Sequence, residues 1–112
     1  MDAKNAKCPA EFTLAMIGGR WKIPIIFHLL AGKKRFSELA RLLRGVTQKM
    51  LTQQLREMER NGLVEREIFA QVPPRVEYSL TELGRSLFPV VDAMCRWGEQ
   101  HGEPGLLREV RK

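Results

Sequence analysis

Ser37-Glu38-Leu39-Ala40-Arg41-Leu42-Leu43-Arg44-Gly45-Val46-Thr47-Gln48-Lys49-Met50-Leu51-Thr52-Gln53-Gln54-Leu55-Arg56-Glu57-Met58-Glu59-Arg60-Asn61 is the stretch that decides the fold. Ser37 reads as the cap of a short helix, Arg44-Gly45-Val46 as a turn, and Thr47 as the cap of a longer helix reaching about Asn61. The inward face of that longer helix is Met50 or Leu51, then Leu55 and Met58, at helical spacing. Asn61-Gly62 stops it, with glycine suited to the left-handed position after a helix. The positions left over, Gln48, Lys49, Thr52, Gln53 and Arg56, make a polar outer face. A short supporting helix, a glycine turn and a polar-faced second helix suit the major groove of DNA. Gln, Lys and Arg hydrogen-bond base edges, Thr does so or touches a thymine methyl, and the Thr47 hydroxyl and amide suit a phosphate.

Upstream, Pro9 reads as a first-turn helix residue, followed by Ala10 to Ile17 with Phe12 and Met16 on one face and Gly18-Gly19 as the stop. A second helix is expected from about Arg20 to Ala31, with Trp21, Ile25 and Leu29 as its stripe, widened by Ile26 and Leu30, and Gly32 closing it. Downstream, the period changes from 3.6 to 2. Val64, Arg66, Ile68 and Ala70 alternate with Glu65, Glu67 and Phe69; Val76, Tyr78 and Leu80 alternate with Arg75, Glu77 and Ser79. Pro73-Pro74 between them is a stiff tip that extends neither ladder. Thr81-Glu82 restarts a helix whose stripe is Leu83, Leu87, Val90, Met94 and Trp97, with a bend expected near Arg85 to Ser86 because Pro89 follows. The tail after Gly98 is expected to fray. The order predicts a mainly α fold with a two-stranded β-wing, a winged helix-turn-helix, as one domain over residues 1–112.

Charge follows the same map. Residues Lys33 to Arg75 hold ten basic and five acidic side chains, so this window carries +5 of the chain's formal +6. That suits a polyanion-facing surface. Arg75, beside the Pro-Pro tip, reads as the wing residue for a phosphate or the minor groove, and Lys34 and Arg35 as grips on the backbone. As solvated surface charges these three need no partner at all. At 112 residues, 44% hydrophobic and 29% charged, the chain is able to bury a core. Its longest apolar run, Ile23 to Leu30, is broken by His28 and too short for a bilayer, so no membrane partner is expected. Met1-Asp2-Ala3-Lys4 gives no support for secretion. Two cysteines, Cys8 and Cys95, make no disulfide framework and fit a reducing cytoplasm. Enzyme chemistry lacks parts: no nucleophile set, no glycine-rich phosphate loop after a strand, and no zinc-ligand spacing among Cys8, His28, Cys95 and His101. No cofactor or metal is expected. His28, among apolar neighbours, reads as a core or interface histidine.

Several blocks together are more specific: Cys8-Pro9, Ile17-Gly18-Gly19-Arg20-Trp21, Arg35-Phe36-Ser37-Glu38-Leu39, Gln48-Lys49-Met50-Leu51-Thr52, Leu55-Arg56-Glu57-Met58-Glu59, Asn61-Gly62-Leu63-Val64, Val72-Pro73-Pro74-Arg75-Val76-Glu77-Tyr78-Ser79-Leu80-Thr81 and Gly84. From about Cys8 to Trp97 the chain resembles the HxlR-type regulators, within the MarR-like winged helices. The resemblance implies a homodimer packed through its first and last helices (8–31 and 81–100), with 33–80 binding a partly palindromic double-stranded operator, and repression as the default. The surplus apolar stripe from Leu83 to Trp97 agrees with such an interface.

Within that family the chain looks most like members that sense quinones, aldehydes or oxidants through an N-terminal cysteine, the place held by Cys8. A helix start with Lys7 adjacent and Lys4 nearby favours the thiolate, the form that attacks electrophiles. Some such sensors bridge this cysteine to a second one in the C-terminal tail. Gln100-His101-Gly102-Glu103-Pro104-Gly105 has no thiol, so alkylation or a mixed disulfide is the expected switch. Cys95, beside Met94, is expected to be buried. Two other readings stay open: a small ligand held non-covalently at the dimer interface with Cys8 incidental, and a winged helix that binds protein instead of DNA.

Overall fold

The computed structural model describes residues 8–102. The fraying expected after Gly98 does not begin there, since the last helix runs on to His101. The rest of that tail, beyond residue 102, the leader reading of Met1 to Lys4, and Lys4 and Lys7 as neighbours of Cys8 fall outside the described residues. The elements run α1 (Pro9–Ile17), α2 (Lys22–Leu30), β1 (Lys34–Arg35), α3 (Phe36–Leu42), α4 (Gln48–Arg60), β2 (Val64–Phe69), β3 (Arg75–Leu80), α5 (Glu82–Arg85) and α6 (Phe88–His101). This is the mainly helical winged architecture expected, with two revisions.

The first concerns the sheet. It has three strands in the order β1-β3-β2, all antiparallel, and not two. In the hairpin expected from the sequence Val64 faces Leu80 and Phe69 faces Arg75, and the Val72–Pro73 bond in its loop is cis. The added strand is Lys34–Arg35, paired with Tyr78 and Glu77. That pairing holds Arg35 extended (φ −79°, ψ 158°), so α3 starts at Phe36 with Arg35 as its cap residue. The Arg35 N–H donates to the Glu38 carboxylate at 3.0 Å. Ser37 is therefore an exposed residue inside the first turn of α3, and not its cap.

The second concerns the last helix. Pro89 does not bend it; the helix breaks. A proline ring clashes with the carbonyl four residues back, which is Arg85, where α5 ends. The chain turns through Ser86 and Leu87 and restarts as α6, placing Pro89 in the first turn, where its missing N–H leaves no bond unmade. Thr81 caps α5 as predicted, its Oγ1 accepting from the Gly84 N–H at 3.0 Å.

One core gathers α2, α3, α4, the sheet and α6. Ile25, Ile26 and Leu29 of α2, Leu39 of α3, and Leu51, Leu55 and Met58 of α4 are buried, with Leu63, Val64, Tyr78 and Leu80 from the strands and their flanks. The inward register of α4 is set by Leu51; Met50 is only half-buried. Val91 alone brings α6 into the core, 1% exposed. The stripe read from the sequence divides around it: Leu87 packs against the core, whereas Leu83, Val90, Met94 and Trp97 face outward. Cys95 is exposed, contrary to expectation: it follows Val91 by one turn on the same face of α6, but Val91 is the only residue of that helix the core buries, so the core ends before Cys95.

His28 is half-buried near the end of α2, edge-on to Phe27. Burial, with Lys34 nearby, holds its imidazole below the ordinary 6.5. The unfolded chain thus binds a proton here at higher pH than the folded one, so stability falls as pH drops from 6.5 towards the lower folded value. The melting temperature of the parent is expected to fall more between pH 7.5 and 5.5 than that of His28→Gln; equal slopes would assign the acid loss to other groups.

Candidate nucleic-acid interface

The supporting helix α3 and the longer α4 meet through the Leu43–Val46 turn, whose Val46 N–H donates to the Leu43 carbonyl at 3.1 Å. Helix α4 is capped at both ends by its own sequence. Thr47 Oγ1 accepts from the Met50 N–H at 3.0 Å, which leaves the hydroxyl proton free to donate outward. At the other end Gly62 adopts φ +76°, so the Leu63 N–H reaches the Met58 carbonyl at 2.8 Å and the Gly62 N–H reaches Glu59 at 3.0 Å. A rigid rod results, with Leu51, Leu55 and Met58 inward.

On its far side Gln48, Lys49, Thr52, Gln53, Arg56 and Arg60 line a single shallow groove open to solvent. Five of these six were read from the sequence. Arg60 was not, although Lys49, Gln53, Arg56 and Arg60 stand at i, i+4, i+7 and i+11 and so share one face. The groove combines amides able to both donate and accept with three cationic side chains, the donor set that guanine and adenine edges and phosphates require.

The outlying candidates are placed differently. Thr47 stands exposed at the head of α4, beside the groove. Lys34, Arg35 and Ser37 are not among the groove's lining residues. Lys34 is half-buried, sits opposite buried Tyr78 and donates from Nζ to the Gly32 carbonyl at 3.4 Å. Arg35 is exposed, on the same sheet face as Glu77. Arg75 is held within the wing: its guanidinium lies 4.1 Å from the centre of the Phe69 ring, and its Nε is 3.4 Å from Glu77 Oε2. This stacking stiffens the tip end of the wing.

Behind α4 lies a contact that the sequence reading missed. Lys22 Nζ is 2.7 Å from Glu57 Oε2, joining the first residue of α2 to the rear flank of α4. Arg66 Nε on β2 lies 3.7 Å from Glu59 Oε2 on the opposite flank. Buried Tyr78 also meets Arg66; burial chiefly raises its phenol above 10, and Arg66 opposes that rise.

Cys8 is the cap residue of α1, extended and exposed, its carbonyl accepting from the Glu11 N–H at 3.0 Å and its thiol making no capping bond. Among the described residues no group of three or more His, Cys, Asp and Glu gathers in metal-binding geometry, and no helix is long and apolar enough to cross a membrane.

The model of the HxlR-like helix-turn-helix family matches residues 16–105. The chain belongs to that family. The regulator is 56% identical over 94 residues to the transcriptional regulator YybR of Bacillus subtilis, covering 84% of this chain and 75% of that protein. Among solved structures, the redox regulator HypR superposes in its reduced form with a TM-score of 0.83 at 52% identity, over 91% of this chain and 99% of HypR. In the oxidised form of HypR the TM-score is 0.81 at 55% identity, over 86% and 99% of the two chains. The reduced form of YodB from B. subtilis matches with a TM-score of 0.76 at 39% identity, over 88% and 98%. This HxlR-like regulator is a transcriptional regulator on a helix-turn-helix DNA-binding fold, and not an enzyme.

Proposed function

We propose that the regulator binds a partly palindromic operator as a homodimer and represses transcription in the cytoplasm until an electrophile or oxidant modifies Cys8. The observation that carries the reading is the groove on α4, where six amide-, hydroxyl-, ammonium- and guanidinium-bearing side chains face solvent together. Residues 33–80 form the DNA-binding unit, with Thr47 on a phosphate, and Lys34, Arg35, Ser37 and Arg75 as backbone contacts outside the groove. Residues 8–31 and 81–100 form the dimer interface. Phe12 and Leu14 on α1 and Phe88, Val90, Met94 and Trp97 on α6 are all exposed in the single chain, a large apolar surface for water to meet. Two subunits related by a two-fold axis place their α4 helices about 34 Å apart, one turn of DNA.

The effector reading rests on exposed Cys8 at the head of α1 and on HypR, a redox regulator solved in both oxidised and reduced forms. A quinone takes the Cys8 thiol by addition: the S–H bond breaks and an S–C bond forms, and the thiol proton ends on one ring oxygen. The proton of the attacked ring carbon moves to the other oxygen as the ring rearomatises, and the product is a hydroquinone thioether. The adduct would displace α1 and, through the dimer interface, change the spacing of the two α4 helices.

The test is recovery of genomic fragments by purified protein, repeated after treatment with a quinone or with diamide. The parent is expected to enrich discrete fragments and to release them after treatment, and Cys8→Ser to enrich the same fragments and ignore the reagent. Release of both proteins alike would take the switch away from Cys8, to exposed Cys95 or to a ligand held without a covalent bond.

A further inference from the structure

We propose that the Lys22–Glu57 ion pair positions the recognition helix, fixing the roll of α4 about its own axis so that the groove side chains meet base edges. The inference rests on the DNA-binding reading above and adds to it a specificity-determining contact remote from the DNA.

Apolar packing leaves that roll weakly defined. Leu51, Leu55 and Met58 hold α4 at its distance from the core, yet dispersion contacts are non-directional and tolerate small rotations. A polar contact at each flank does not. Successive helical residues turn about 100°, so Glu57 and Glu59 leave α4 about 200° apart, on opposite sides of the buried stripe. Lys22 of α2 meets one and Arg66 of β2 meets the other. The two braces are unequal. Arg66 and Glu59 are 3.7 Å apart with side chains 45% and 39% exposed, so solvent screens them. Lys22 and Glu57 are 2.7 Å apart, with side chains 11% and 36% exposed, so the ammonium end is shielded although the carboxylate still meets solvent. Lys22 is the buried charged residue among those described, and leaving a buried ammonium without its partner is costly, so Lys22 holds Glu57 more firmly than exposed Arg66 holds Glu59. Specific recognition tolerates roughly 10–20° of misorientation, so loss of this brace acts on base discrimination before it acts on phosphate attraction. Lys22 also opens α2 directly after the Gly18–Trp21 corner that ends α1, so the same contact ties α4 to the helix headed by Cys8.

The test is Lys22→Met/Glu57→Gln, which removes one positive and one negative charge and fills the lysine channel with an apolar stem. Its preference for operator over random duplex is expected to fall at least tenfold, while its melting temperature stays within a few degrees and the salt dependence of random-duplex binding is unchanged. Preference within twofold of the parent at equal stability would overturn the proposal and leave the pair a packing feature. If that variant does not fold, the exchange Lys22→Glu/Glu57→Lys decides: recovery of preference relative to either single reversal supports positioning, and no recovery overturns it. The parent is the control. A parent without operator preference refutes the DNA-binding reading itself, whereas a parent with preference that the variant shares refutes only the role of the pair.

Discussion

Gly84→Ala is expected to destabilise the regulator by about 3 kcal/mol or more, at or beyond the upper end of ordinary overpacking. A Cβ at this position would meet the Leu63 carbonyl oxygen at 2.1 Å, its carbon at 3.1 Å and Leu80 Cδ2 at 3.0 Å. The first two are backbone atoms, so no side chain can swing aside. That backbone is itself anchored: the Thr81 N–H donates to the Leu63 carbonyl at 3.0 Å, the Thr81 hydroxyl donates to the Gly62 carbonyl, and Thr81 Oγ1 accepts from Gly84. An added methyl group would push α5 off the end of α4 and break this knot. Against a usual total of about 5–15 kcal/mol, the loss is a large fraction of stability. Chemical denaturation of the variant checks it, and a change below about 1 kcal/mol would show that α5 gives way easily.

The second large effect is on DNA. The double substitution Gln53→Ala/Arg56→Ala is expected to reduce preference for operator over random duplex by roughly 2–6 kcal/mol, from about 1–3 kcal/mol for each base contact. Both side chains are exposed and leave the core untouched, so melting temperature should not move. Competition binding against random duplex measures the effect. Equal losses on operator and random DNA would make both residues backbone contacts.

How much of this was legible depends on the range over which each signal acts. The caps at Thr47 and Thr81, the glycine stop at Gly62, the buried stripe of α4 and the two hairpin strands are local matters of spacing and residue type, and all were readable. Strand β1 was not, because two residues show no periodicity and Lys34 and Arg35 form a strand only by pairing with β3. For the same reason the start of α3 was placed two residues late, with Ser37 taken as the cap in place of Arg35. Pro89 gave the right warning with the wrong outcome: its ring forbids the bond across Arg85, and a break with restart satisfies this better than a bend. Cys95 was misplaced because its burial was read from the residue type alone, whereas the core reaches α6 only at Val91, one turn earlier. Arg60 had a readable signal in its spacing from Arg56. The Lys22–Glu57 pair had none, since charges 35 residues apart meet only through the packing of α2 on α4.

The most direct measurement is selection of duplexes from a random pool by the purified regulator. Convergence on a partly palindromic sequence, its half-sites about 34 Å apart, is the predicted result. No enrichment of any duplex over random competitor would contradict a base-reading role for the groove on α4.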